Sequence, residues 1–181
     1  MVEDELKEIA DKLSREPKML NNVPVPYSFM DNNITSIIGS YDSRSEYLKK
    51  LILQLMTFHS YADLKLVILT DNDKKSTWDN IKNSPYCFTD DMQFRLFASK
   101  TEEYGVVCSY LEKIFNSRSN SEDMEINAHR YNKIYLIITD SFKTVRNQDF
   151  IETLLKTKQN YGFSIIISNG NIATLPEQCK N

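Results

Sequence analysis

"IIGSYDSRSEYLKKLILQL", residues 37–55, is the stretch on which the reading of this chain turns. A β-branched run ends at Gly39, a polar turn follows, and apolar side chains then recur at helical spacing. Strand, glycine turn and long helix are the layout of a phosphate-binding loop, in which backbone N–H groups curl around phosphates at a helix N-terminus. Such a loop needs a glycine, four spacers, and then Gly-Lys-Ser/Thr. Here Gly39 is followed by Ser40, Tyr41, Asp42, Ser43, Arg44 and Ser45. The second glycine is missing, the loop is one residue short, and Arg44 stands where lysine belongs.

Outward from this stretch, strand and helix alternate. "ITSIIG" reads as a strand, and a helix is predicted from Ser43 to about His59 with Tyr47, Leu48, Leu51, Ile52, Leu55 and Met56 on its buried face. "LKLVILT" (64–70), "KIYLIITD" (133–140) and "FSIIISN" (163–169) are nearly continuous apolar runs, as expected of strands buried on both faces of a parallel sheet. "QFRLFAS" (93–99) reads as a further strand, and a short helix is predicted near Ser76. "TEEYGVVCSYLEKIFNSR" (101–118) and "NQDFIETLLKTKQNYG" (147–162) read as helices, the first with Val106, Val107, Tyr110, Leu111 and Ile114 apolar. "NSRSNSEDMEINAHRYN" (116–132) is polar and reads as a surface loop. The pattern predicts one α/β domain with a mostly parallel sheet and helices on both faces.

At the N-terminus, Val2, Leu6, Ile9 and Leu13 keep helical spacing up to Pro17. Residues 1–20 are therefore assigned to an N-terminal helix or linker, and 21–181 to the domain. "NNVPVPYSF" is extended, because its prolines remove donors and restrict the residues before them. The chain ends soon after "LPEQCK", where one more strand is expected, as in a piece of something longer.

Bulk properties exclude several classes. The 181 residues suit one core, and 41% hydrophobic with 26% charged residues is an ordinary globular composition. A net charge of −3 gives no electrostatic case for nucleic-acid binding. No apolar run approaches the roughly 20 residues of a membrane span, and the acidic, amphipathic N-terminus is not a signal peptide. Cys87, Cys108 and Cys179 are odd in number and lack a CxxC pair, so free thiols are expected rather than a zinc site or disulfides. With only four glycines, Gly39, Gly105, Gly162 and Gly170, the chain has few to spend on cradling a nucleotide.

"VPVPYSF", the stretch from Ile37 to Leu69, "RLFASKTEEYGVVCSYLEKIF", "LIITDSF" and "LPEQC" together resemble one domain of the EssC-type proteins. These are membrane-anchored FtsK/SpoIIIE-like ATPases of Gram-positive type VII secretion systems. The most specific element is "LQLMTFHSYADLK" (Leu53 to Lys65), and the resemblance covers roughly residues 20–181. It implies a RecA-like, three-layer P-loop ATPase fold and the domain just after the transmembrane segments, on the cytoplasmic side of the cell membrane. The partners it implies are the adjacent ATPase domains of the same chain, other type VII secretion components and copies of the full-length protein.

The resemblance places Arg44 at the lysine position and Ser45 at the magnesium-ligand serine. A planar guanidinium does not mimic the compact ammonium that reaches between β- and γ-phosphates. Asp42 adds a negative charge, and each like-charge contact at ~4 Å and an effective dielectric of about 20 costs on the order of 4 kcal/mol. It also places Asp140 at the end of a Walker B strand, with Ser141 where active members carry glutamate; serine is no general base near neutral pH. The plain alternatives are a strand-to-helix turn capped by Ser43 and an Asp140 that caps the chain leaving its strand. No catalytic residue, metal or bound cofactor is therefore expected, and the leading function is a non-catalytic ATPase-fold domain serving assembly or regulation of the secretion motor. The alternatives are a nucleotide-binding or weakly active ATPase using Arg44, Ser45 and Asp140, and a small-molecule domain with its site at the carboxyl ends of the strands.

His59 and His129 lack metal-ligand spacing, and His59 ends a helix whose last carbonyls it can meet. Trp78, near Tyr86 and Phe88, reads either as packing against the sheet or as an interface anchor. Neither the charge nor any long apolar stretch announces a large interface.

Overall fold

The apolar runs at 64–70, 133–140 and 163–169 form the interior of the sheet because they bury side chains on both faces. In the computed structural model, which describes residues 6–8, 11–12, 23, 26–120, 131–140 and 142–179, the strands are β1 (Ile34–Ile38), β2 (Leu64–Leu69), β3 (Phe97–Ala98), β4 (Ile134–Thr139) and β5 (Phe163–Asn169). They lie in the order β1-β5-β4-β2-β3, and every pairing is parallel. All six residues of β2 are buried, whereas β1 at the edge is only half covered. The helices are α1 (Tyr41–Phe58), α2 (Thr101–Ser119), α3 (Phe142–Val145) and α4 (Asp149–Lys156).

Alternate residues of each strand feed two cores, one on each face. Val67, Leu69, Tyr135, Ile137, Phe163, Ile165 and Ile167 pack under α2 and α4. Leu66, Ile68, Leu136, Ile138 and Ile166 pack under α1, through Leu48 and Ile52, and under Trp78 and Cys87. Period-two alternation thus divides each central strand between layers, and the three-layer architecture follows.

Several expectations shift. The predicted strand at 93–99 shrinks to Phe97–Ala98 with an isolated antiparallel bridge between Phe88 and Arg95, since little of it reaches the parallel ladder. The last helix is confined to Asp149–Lys156. Tyr47 is 55% exposed instead of buried, and Val106 is 57% exposed; in α2 it is Tyr104, Val107, Cys108, Leu111 and Phe115 that face the sheet. Lys75–Trp78 forms a 3-10 turn where the short helix was predicted. Of the N-terminal segment, residues 6–8 and 11–12 are helical and exposed. The polar stretch 121–130, with His129, lies outside the described residues, as does Ser141.

One glycine is dictated by its surroundings. Gly162, at φ +81°, precedes β5, and a Cβ there would collide with the Arg118 guanidinium and crowd Tyr131 and the Lys133 carbonyl. Arg118 lies 4.6 Å from the Tyr131 ring and 5.3 Å from that of Phe163. It donates to the carbonyls of Tyr161 at 2.8 Å and Lys133 at 2.9 Å.

Candidate functional site

The candidate site lies at the carboxyl ends of β1, β5, β4 and β2. Ser40 has extended backbone, and its Oγ accepts from the Ser43 N–H and donates to the Ser43 hydroxyl at 2.8 Å. The cap is therefore Ser40, not Ser43, and α1 begins two residues earlier than predicted. Only Gly39 and Ser40 then link strand to helix, and the Gly39 N–H is turned to the Asn169 carbonyl at 3.4 Å. A phosphate cradle needs successive backbone N–H groups converging on one point; this two-residue link is too short to supply them.

Arg44, in the second turn of α1, is 8% exposed and turns back beneath the link. Its Nε donates to the Gly39 carbonyl at 2.8 Å, and Nη1 donates to the Ser168 hydroxyl at 2.6 Å. The guanidinium thus ties β1, α1 and β5 together. Ser45 is half-buried one residue further on.

Asp140 ends β4 and is 9% exposed. Its Oδ2 accepts from Trp78 Nε1 at 3.3 Å. Neither Asp140 Oδ1 nor Thr70 Oγ1, both buried, has a well-formed hydrogen bond, although the Thr70 hydroxyl lies close enough to favour the carboxylate. Burial raises the Asp140 pKa above the ordinary 3.8, against the opposing pull of Thr70, Lys74 and Trp78. Beside it, Lys74 Nζ meets Asp71 Oδ2 at 3.1 Å, and Asp71 Oδ1 accepts from Thr144 at 2.9 Å. Burial works against the Lys74 ammonium, but Asp71 prevails and its pKa is raised. The fold thus gathers Thr70, Asp71, Lys74, Trp78 and Asp140 from two strand ends and a turn. β5 stands between β1 and β4, so the Gly39 link and Asp140 lie two strands apart across the sheet.

Trp78, at 1% exposure, is a core residue, so the interface reading of Trp78 falls. His59 is exposed at the C-cap of α1, where its own N–H bonds Leu55 and its carbonyl accepts from Tyr86 Oη at 2.6 Å. Tyr86 also bonds the Met56 carbonyl, so a tyrosine closes this helix end. Among the described residues no cluster of histidine, cysteine, aspartate and glutamate is able to hold a metal, and the three cysteines are free thiols.

One feature escaped the sequence reading. A groove of about 1220 Å³ runs between α1 and the 26–30 segment, lined by Tyr27, Ile37, Ile38, Tyr47, Leu55 and Phe58 among others. Its residues are scattered over the sequence, so no apolar run announces it.

A parallel five-stranded sheet with helices on both faces and a strand–turn–helix at its carboxyl edge defines a three-layer α/β fold. No protein-family model matches the chain. It is 25% identical over 166 residues to the type VII secretion system protein EssC of Staphylococcus aureus, covering 87% of this chain and 10% of that protein. It is 20% identical over 175 residues to the ESX secretion system protein EccC of Geobacillus thermodenitrificans, covering 96% and 12%. The fold matches a structure described as the cytoplasmic domain of EssC, with TM-score 0.67 and 16% identity over 86% of this chain and 32% of the other. It also matches EssC (ATPases 2 and 3) from Geobacillus thermodenitrificans, with TM-score 0.66 and 16% identity over 84% and 31%. The chain is thus similar in sequence to part of the EssC and EccC type VII secretion proteins and shares the fold of solved EssC cytoplasmic domains. It spans about a tenth of the length of the curated relatives it matches. Among the described residues no helix is long and apolar enough to cross a membrane.

Proposed function

We propose that this chain is a non-catalytic, ATPase-fold domain of a type VII secretion motor, serving assembly or regulation of the translocation ATPase at the cytoplasmic side of the membrane. The observation that carries this reading is Arg44. Its guanidinium is spent on the Gly39 carbonyl and the Ser168 hydroxyl, under a link of two residues. A magnesium–triphosphate does not fit these residues: the link offers no converging N–H groups, and the only cation in the loop is already bonded to protein. The partners on this reading are neighbouring ATPase domains of the same polypeptide, other secretion components and further copies of the full-length protein.

Titration of the chain with magnesium-ATP by calorimetry tests it. The expected result is no saturable heat; one-to-one binding overturns it.

A second reading, nucleotide binding or weak hydrolysis through Asp140, draws on the unbonded Oδ1 of Asp140 and Oγ1 of Thr70 at the strand ends. Hydrolysis above background that is abolished in Asp140→Asn favours that reading over the first.

A further inference from the structure

Tyr41, the first residue of α1, makes its polar contact outside its own helix. Its hydroxyl shares a 2.9 Å hydrogen bond with Thr77 Oγ1, 36 positions further along the chain. Its half-buried ring lies 5.9 Å from the Arg44 guanidinium and 5.8 Å from Lys74 Nζ. Two cations thus share one aromatic ring, whose negative face takes the place of a counter-ion. Tyr41 and Arg44 follow β1, whereas Lys74 and Thr77 belong to the 71–78 turn that leaves β2. β5 and β4 lie between those two strands, so the Tyr41 contacts span the carboxyl ends of both.

The turn that Tyr41 holds is the one that shields Asp140. Trp78, next to Thr77, is buried and donates through Nε1 to Asp140 Oδ2 at 3.3 Å. Lys74, which the Tyr41 ring also meets, is paired with Asp71 at 3.1 Å. At the strand ends beside this turn, Asp140 Oδ1 and Thr70 Oγ1 are buried without a well-formed hydrogen bond. The 3-10 turn Lys75–Trp78 has no side-chain cap of its own, so the tie to Tyr41 supports a segment with little internal support. We propose that Tyr41 is a gate on the carboxyl-end site. Closed, it clamps the strand-to-helix link to the 71–78 turn and keeps solvent and ligand from Asp140 and Thr70. Released, it lets the turn lift and uncovers the ends of β4 and β5. One hydroxyl hydrogen bond and two ring contacts are each modest, so the closed form is favoured without being locked. The gate rests on the reading of a domain that holds no nucleotide, and it names the contact that keeps the site shut.

Acrylamide quenching of Trp78 emission in the full chain tests this, since Trp78 is the single tryptophan. Tyr41→Ala is expected to raise the quenching constant about tenfold, the open population gained when contacts of this strength are lost. Tyr41→Phe keeps the ring without the hydroxyl and is expected to fall between Tyr41→Ala and the parent. Amide exchange in β4 and β5 is expected to be the same in all three. An unchanged quenching constant in Tyr41→Ala overturns the gate. So does a rise accompanied by faster exchange throughout β4 and β5, which would make Tyr41 a general support of the fold. The two readings fail separately: magnesium-ATP binding by the parent chain sinks the non-catalytic one, and unchanged quenching sinks the gate.

Discussion

The Arg44 guanidinium donates to the Ser168 hydroxyl at 2.6 Å, joining α1 to the end of β5 across 124 positions of sequence. The same guanidinium bonds Gly39, so one side chain holds the strand-to-helix link closed. Arg44→Ala leaves the Gly39 carbonyl and the buried Ser168 hydroxyl without their charged donor, and is expected to cost about 2–3 kcal/mol. Arg44→Lys keeps the charge but loses the fork and should fall between the two. Urea unfolding at unchanged slope measures both, and a loss-free Arg44→Ala would show that the contacts carry no stability.

Asp140 is a buried carboxyl whose folded-state pKa lies above the ordinary 3.8. The folded state therefore keeps its proton longer than the unfolded chain. The stability this contributes is complete below the ordinary value and is lost as pH rises through the folded-state pKa. Asp140→Asn is expected to raise the urea midpoint at neutral pH and to leave it unchanged in acid below that range. Trp78 is the single tryptophan and donates to Asp140, so its emission should titrate in the parent protein and be flat over the same interval in Asp140→Asn.

Gly162 at φ +81° sits against the Arg118 guanidinium, which stacks over Tyr131, Tyr135 and Phe163. Gly162→Ala combines left-handed backbone strain with a collision, and should cost about 1–3 kcal/mol. Thermal unfolding checks it. Gly105→Ala is the control, since a Cβ there comes no nearer than 3.9 Å to the Gln148 side chain, and it should be neutral or stabilising.

Lys65 lies in β2 with 1% exposure, its ammonium 3.3 Å from Asp90. The Lys133 hydrogen bond, with help from Lys65, holds the Asp90 carboxyl below its usual range. This contribution is present above the unfolded value and lost as pH falls through the folded one. Asp90 itself is 62% exposed, so the pair with Lys133 is worth little. The cost of Asp90→Asn comes from removing the charged partner of the buried Lys65, which keeps only the Pro85 carbonyl at 3.4 Å and the Tyr61 ring, and is about 1–3 kcal/mol. Lys65→Met placed in the Asp90→Asn background should recover most of it, and a double-mutant cycle reads the coupling.

Local sequence was enough for the sheet. Runs such as "LKLVILT" and "FSIIISN" satisfy both faces of a parallel sheet in any alternative packing, and strand–helix alternation leaves few other architectures. The missing second glycine and the arginine at position 44 were equally legible, because a motif is a statement about residue types at fixed spacing. What Arg44 does instead was not legible. Its partner Ser168 is reached only when β5 lies beside β1, and neither composition nor periodicity carries strand order. Trp78 shows the same limit: its polar neighbours allowed a surface reading, and only the proximity of the β2 and β4 ends buries it against Asp140. The groove depends most on tertiary structure, because Tyr27, Ile38, Tyr47 and Phe58 become one surface only after β1 is placed at the edge of the sheet with α1 alongside. Sequence alone determined the central strands, the two long helices and the departures from the phosphate-loop pattern, for each is encoded by residues close to one another in the chain. The tertiary structure decided which distant side chains meet, since those meetings are set by chain closure over a hundred residues and by the burial that closure makes possible.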